Sequence, residues 1–278
     1  MLRRQAEVKT RWSFAMSVVV VSCMALLVSQ TCMAGSSEFR FYPQFRYMGG
    51  LPGNGWAVNG QGEAGFDGAM SQTIPIGYTP SRGSYALGYH VGSTNGGITT
   101  SFGGPGANGT LAGTIGFRRP GHGISATVDF VDNDWDVSFN FQAQIAQETD
   151  HRPAISGGIL DWSRRREEMR GNPPNDHSAQ SFYIAATKRF NDGDHPIHAT
   201  LGVGTDRFRE RSFAGVCYDA HDRVKLMAEY DGFGMNAAAA AQVLPDKRKS
   251  DGSQGDSLIL FIGATDLERP VVGVTYTR

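Results

Sequence analysis

The sequence predicts an all-β protein, an antiparallel transmembrane β-barrel of about 12–14 strands that follows an N-terminal signal peptide. Three observations predict it. Many segments alternate apolar and polar residues with a period of two, the longest such run has the length of a membrane-crossing strand, and the chain opens with an export signal. The longest run is Trp135–Ile145. Trp135, Val137, Phe139, Phe141, Ala143 and Ile145 are apolar, and Asp136, Ser138, Asn140, Gln142 and Gln144 between them are polar. That period places the two sets on opposite faces of an extended strand. The run exceeds the usual soluble strand of about 5–6 residues and matches the roughly 9–11 tilted residues that cross a bilayer.

The leader comes first. Arg3, Arg4, Lys9 and Arg11 precede an apolar stretch from Phe14 to Val28, and Cys32-Met33-Ala34 offers small residues for cleavage before Gly35. This is the layout of a secretory signal, so residues 1–34 are expected to be removed and residues 35–278 to form one barrel domain. The alternatives are an uncleaved signal anchor, which is short against the roughly 20 residues of a spanning helix, and a lipoprotein box at Val20-Val21-Ser22-Cys23. Of the three cysteines, Cys23 and Cys32 fall in the leader and leave Cys217 without a partner for an internal disulfide. The formal net charge is −1, and loss of the basic leader makes the mature chain mildly acidic, so nucleic acid is not an expected partner. The mean hydropathy is negative, which does not argue against a barrel, because every second residue alone faces lipid.

The remaining strands follow in order. Tyr85–Val91 and Leu111–Phe117 alternate weakly. Ile124, Ala126, Val128 and Phe130 alternate with Ser125, Thr127 and Asp129. Phe182–Phe190 is weaker, and Ile197, Ala199, Leu201 and Val203 then alternate with His198, Thr200, Gly202 and Gly204. After Phe213–Tyr218 comes Val224, Leu226, Ala228 and Tyr230 against Arg223, Lys225, Met227 and Glu229. The alanine-rich Asn236–Val243 suits either a helix or a crowded barrel wall, and its neighbours favour strand. Leu258–Ala264 and Val272, Val274 and Tyr276 complete the set. Asp/Asn-rich breaks at Val131–Asp134 and Asp219–Asp222 have tight-turn chemistry. Ser163–His177 is a mixed-charge segment expected to be a solvated loop. The glycine-rich Gly49–Gly68 and Gly92–Asn108 read as long loops or twisted strands.

Alternation alone does not say which face is wet. The polar faces here are small or uncharged, as an enclosed lumen favours, and Trp135, Trp162, Phe190, Tyr230 and Tyr276 fall near strand ends where interfacial girdles sit. Against this, the chain closes Tyr276-Thr277-Arg278 rather than on the aromatic residue common in bacterial barrels. Apolar side chains are therefore expected to face lipid. Asp129, Asn140, Gln142, Gln144, Lys225 and Glu229 are expected to face the lumen, where Lys225, Glu229 and Arg223 would form a charge network. On that orientation Phe139→Arg is damaging and Gln142→Arg tolerated.

Several segments, Phe182–Phe190 (FYIAATKRF), Ile197–Phe208 (IHATLGVGTDRF), Val224–Asn236 (VKLMAEYDGFGMN, with its Glu229-Tyr230-Asp231-Gly232 core) and Ser71–Tyr78 (SQTIPIGY), resemble the YjbH-like family of bacterial outer-membrane β-barrels. The resemblance implies a structural or transport barrel in the outer membrane, linked to exopolysaccharide secretion. Its partners would be outer-membrane lipid, the barrel-assembly machinery and polysaccharide. The alternative is a secreted β-sandwich that binds carbohydrate or belongs to a matrix, in the medium or the periplasm.

No catalytic residues, metal ligands or cofactors are expected. There is no G-x-S-x-G elbow, phosphate loop or HExxH. His195 and His198 point to opposite faces of a strand. Asp129, Asp136 and Glu229 are the carboxylates that an acid/base pair in the lumen would require, the basis of a third reading as a barrel enzyme.

Overall fold

The computed structural model describes residues 50–93, 107–131, 136–163, 180–191, 193–208, 212–244 and 255–278. The leader (1–34), Trp135 and most of the Ser163–His177 segment lie outside these residues.

Two short strands, β1 (Ala57–Val58) and β2 (Ala64–Gly65), pair with each other and precede the wall. Twelve longer strands follow in the described residues: β3 (Tyr85–Ser93), β4 (Ala107–Phe117), β5 (Ile124–Val131), β6 (Asp136–Ala146), β7 (Ala154–Leu160), β8 (Ser181–Phe190), β9 (Ile197–Gly204), β10 (Ser212–His221), β11 (Val224–Tyr230), β12 (Met235–Leu244), β13 (Ser257–Thr265) and β14 (Arg269–Thr277). Each is antiparallel to its neighbours in sequence, and β14 closes on β3 through pairs such as Val274↔Tyr89. The result is a closed twelve-stranded barrel. Closure leaves no row of unpaired backbone groups at an edge, the condition for a sheet in hydrocarbon.

The alternation read from the sequence orients the wall. On β6, Phe139 is 40% exposed, Phe141 and Ile145 are exposed too, and Ser138, Asn140 and Gln142 are buried. Leu87, Ile115, Phe182, Ile184, Leu201, Val203, Leu226, Leu260 and Ile262 continue the exposed apolar surface around the barrel. Thr110, Thr114, Ser125, Thr127, Ser156, Thr187, Thr200 and Thr275 are buried inside. Large apolar side chains cover the outside of this wall and much of its inside is polar, whereas a soluble β-sandwich keeps its apolar face within. Phe139→Arg is therefore expected to destabilise the barrel in lipid by about 2–4 kcal/mol near the midplane, measured by urea titration of the chain folded into liposomes.

β12 is strand, not helix: Ala237–Ala241 pair with Leu260–Ala264. β7 is a strand that the period-two pattern misses, because Gly157 and Gly158 interrupt it. Of the expected girdle aromatics, Trp162 is 60% exposed and meets Phe141 edge-on at 6.3 Å. Tyr230 is a correction. It is buried, and its hydroxyl donates to Gly232 O at 3.1 Å, because the turn after β11 folds back on it.

Candidate functional site: a lumen filled by the chain itself

Eight strands make a barrel just wide enough for its own side chains to fill, whereas 16 or more leave an aqueous channel. Twelve strands lie between, and here many inner side chains are small threonines, serines, alanines and glycines. The space they leave is taken by residues 50–84. Trp56, Val58, Phe66, Met70, Ile76 and Tyr78 are all buried, and they share a core with Cys217, Met227, Ala240, Ile259, Phe261 and Val271 of the inner wall. Leu51 and Ile74 pack in a second cluster with Leu160, Tyr183, Phe208 and Phe213. Residues 50–84 thus form a plug, and part of the inner wall is apolar to receive it. Expected as loops or twisted strands, Gly49–Gly68 contributes, from residue 50 onward, the plug's first turns, with β1 and β2 as their ladder.

The plug is also held by its backbone. Thr114 Oγ1 donates to Gly50 O at 2.9 Å, and Thr127 Oγ1 donates to the same oxygen. The Glu229 carboxylate accepts from Gln72 N at 2.9 Å, Thr73 N at 2.7 Å and Thr73 Oγ1 at 2.6 Å. Arg207, in the 3-10 turn Asp206–Phe208, donates from Nη2 to Thr73 O at 2.6 Å. Gln142 Nε2 donates to Tyr78 O at 2.8 Å and Thr79 Oγ1 at 2.9 Å, while its Oε1 accepts from Tyr183 Oη at 2.7 Å. Ser156 Oγ donates to Ile76 O at 2.9 Å. Gly77 N donates to Thr187 Oγ1 at 2.7 Å. Irregular backbone enclosed in a barrel must have its polar groups satisfied by side chains, and the inner wall supplies them.

Further along, Tyr78 Oη donates to Glu148 Oε2 at 2.5 Å. Burial first, and the Glu148 carboxylate second, push the Tyr78 phenol up, so it remains a donor across the physiological range. Glu148 also accepts from Arg189 N at 2.8 Å and pairs with Lys188 at 3.3 Å.

Asp129, Asn140, Gln142, Lys225 and Glu229 are buried inside the barrel. Asp129 Oδ2 accepts from Asn140 Nδ2 at 2.6 Å, and Asn140 Oδ1 accepts from Asp161 N at 2.9 Å. Gln144 is only half-buried and accepts from Thr79 N at 3.0 Å. The expected network of Lys225, Glu229 and Arg223 does not form. Lys225 Nζ grips Asp219 Oδ1 and donates to Gly68 O at 3.0 Å, Glu229 is occupied by Gln72 and Thr73, and Arg223 is exposed in the turn before β11. The plug separates charges that a bare strand reading places together. Asp129 and Glu229 likewise sit in different hydrogen-bond clusters, and the Asp136 side chain lies outside the described ones. The tolerance expected for Gln142→Arg is also revised. Gln142 is 2% exposed and bonds the plug at several points, so a longer cation there displaces Tyr78 and Thr79 or is buried unpaired.

His195 is exposed and bonds Asp219 O at 2.9 Å, while His198 is buried. One constellation escapes a reading by spacing. The ladder pairs His198 with Cys217, and the nearby Asp219 completes a group of possible ligands. Only strand register brings β9 and β10 residues together.

No family model matches the chain, and no curated protein matches it. Solved structures do. The KdgM porin in complex with disordered oligogalacturonate is 11% identical, with 70% of this chain and 97% of that chain covered and a TM-score of 0.46. An outer-membrane channel from Pseudomonas putida F1 is 10% identical, with 72% and 96% covered and a TM-score of 0.37. The outer-membrane protein Omp33 of Acinetobacter baumannii is 9% identical, with 70% and 96% covered and a TM-score of 0.38. At these values the likeness adds nothing to what the strand pairing shows.

Proposed function

We propose that this protein is an outer-membrane barrel with a transport role, closed at rest by its own residues 50–84. One observation carries the reading: polar side chains of the inner wall are spent on the backbone of a lumen segment, while the outer wall is apolar. A purely structural barrel needs no removable filling, and its interior could be closed by large side chains of the wall itself. Here the wall side chains are small and the filling is one continuous stretch of chain. That stretch is tied to the wall mainly by hydrogen bonds and packing, which are reversible. The solute in this reading is an oligosaccharide or polysaccharide, as the YjbH-like resemblance implies. Hydroxyls and amides such as Thr110, Thr114, Ser125, Thr127, Asn140 and Gln142 would line the opened path and match sugar hydroxyls. No catalytic step is part of this reading.

The test has two arms. Fractionation of expressing cells is expected to leave the protein in the membrane pellet after a carbonate wash. Liposomes carrying the purified chain are expected to retain entrapped oligosaccharide, and liposomes carrying a chain deleted for residues 50–79 to release it. Recovery in the soluble fraction contradicts the location, and retention by both chains contradicts the transport role.

A further inference from the structure

The inner wall gathers an imidazole, a thiol and a carboxylate at one place. His198 on β9 is the cross-strand partner of Cys217 on β10. Asp219 follows two residues after Cys217, on the same face of the strand. One ligating atom from each lies within 4.8 Å of the others. His198 is 3% and Cys217 2% exposed. The Cys217 thiol is free, and His198 Nδ1 is buried without a hydrogen-bond partner. A buried polar atom left unpaired is uncommon and calls for a reason, an ion among them. The plug runs directly past: the Met70 backbone hydrogen-bonds Cys217, and Tyr78 meets the His198 ring edge-on at 6.2 Å.

We propose that His198, Cys217 and Asp219 bind a divalent cation of the zinc class inside the barrel. Imidazole nitrogen, thiolate sulfur and carboxylate oxygen form a borderline-soft donor set that suits zinc, and three protein ligands leave a fourth position for water. Bonds of about 2.0–2.3 Å to a tetrahedral ion put its donors roughly 3.3–3.8 Å apart, so the cluster needs to contract by about 1 Å at its widest. The Cys217 and Asp219 side chains would turn toward His198 to supply that. Lys225 holds Asp219 Oδ1, which leaves Oδ2 for the ion. The ammonium opposes a cation here, and two anionic ligands offset it: Asp219 and the Cys217 thiolate, whose proton passes to solvent on binding. The ion would tie β9 to β10 beside the Gly68–Met70 stretch of the plug. The proposal is independent of the transport reading.

The test uses the tag-free full chain folded in detergent and titrated with cobalt(II), then with zinc. One cobalt per chain is expected, with a thiolate-to-cobalt charge-transfer band that zinc abolishes. Cys217→Ser is expected to remove the band. His198→Ala is expected to weaken binding by at least roughly 100-fold, beyond the loss of a mere outer-shell group. Both variants are expected to keep the mobility difference between unheated and heated samples that marks a folded barrel. A folded wild-type chain without a stoichiometric cobalt band overturns the proposal whatever the variants do, and so does binding unchanged in both variants.

Discussion

Glu229→Ala is expected to release the plug while the strand ladder of the barrel stays intact. The Glu229 carboxylate receives three bonds from Gln72 and Thr73, at 2.6–2.9 Å, and a weaker one from Asn236 Nδ2 at 3.3 Å. A buried hydrogen bond is worth about 1 kcal/mol net, and a buried donor left without its acceptor costs about 1–3 kcal/mol. Losing three, with two buried backbone amides left unpaired, costs the seated plug on the order of 5 kcal/mol. The barrel does not share that cost, because β11 is held to β10 and β12 by backbone ladders that need no Glu229 side chain. Limited proteolysis is the measurement. Residues 50–84 should be protected in the wild type and cut in Glu229→Ala, with the strands resistant in both. Glu229→Gln retains an acceptor and should fall between them. Protection of the plug in Glu229→Ala equal to wild type contradicts its anchoring role.

A second variant should reach the same end by steric means. At Gly77 a Cβ would lie 2.5 Å from Ala154 O and 2.6 Å from Thr187 N. Both atoms are backbone, and Ala154 and Thr187 are themselves a ladder pair of β7 and β8. Neither can swing aside as a side chain would. Gly77→Ala must therefore lift the plug from the wall or distort the ladder. It also breaks the bond from Gly77 N to Thr187 Oγ1. Overpacking of this kind costs about 1–3 kcal/mol or more, and the lost bond roughly 1 kcal/mol. Gly60→Ala is the matched control within the plug, since the nearest atom to its Cβ would be Glu148 Oε2 at 3.7 Å. Oligosaccharide efflux from liposomes should rise severalfold for Gly77→Ala and stay at the wild-type level for Gly60→Ala. Equal efflux from the two contradicts close seating at Gly77.

The wall was legible in the sequence because one face of each strand meets lipid and the other does not. Parity puts Phe139 and Gln142 on opposite faces, the small uncharged polar set marks the inner one, and β12 is recognised through its neighbours despite its alanines. β7 was not legible, since Gly157 and Gly158 carry no side chain with which to mark a face. The plug was illegible for a different reason. It is surrounded by wall, so Trp56, Phe66, Met70 and Tyr78 can be apolar in any direction and need no period. The burial of Ile259 and Phe261 inside a nominally polar lumen then has no local explanation either, because their partners lie far away in sequence. The same non-locality hid the pairing of His198 with Cys217, and it misassigned Lys225 and Glu229 to each other when each wall side chain bonds the plug.

A membrane barrel shut by residues 50–84 differs from an open one in its current. Single-channel recording in planar bilayers reads that difference, with the full chain compared to the chain lacking residues 50–79. Both chains are expected to insert, the full chain to be silent or rarely open, and the deleted one to give discrete, sustained current steps. A full chain that conducts as steadily as the deleted chain, step for step, would contradict closure by residues 50–84.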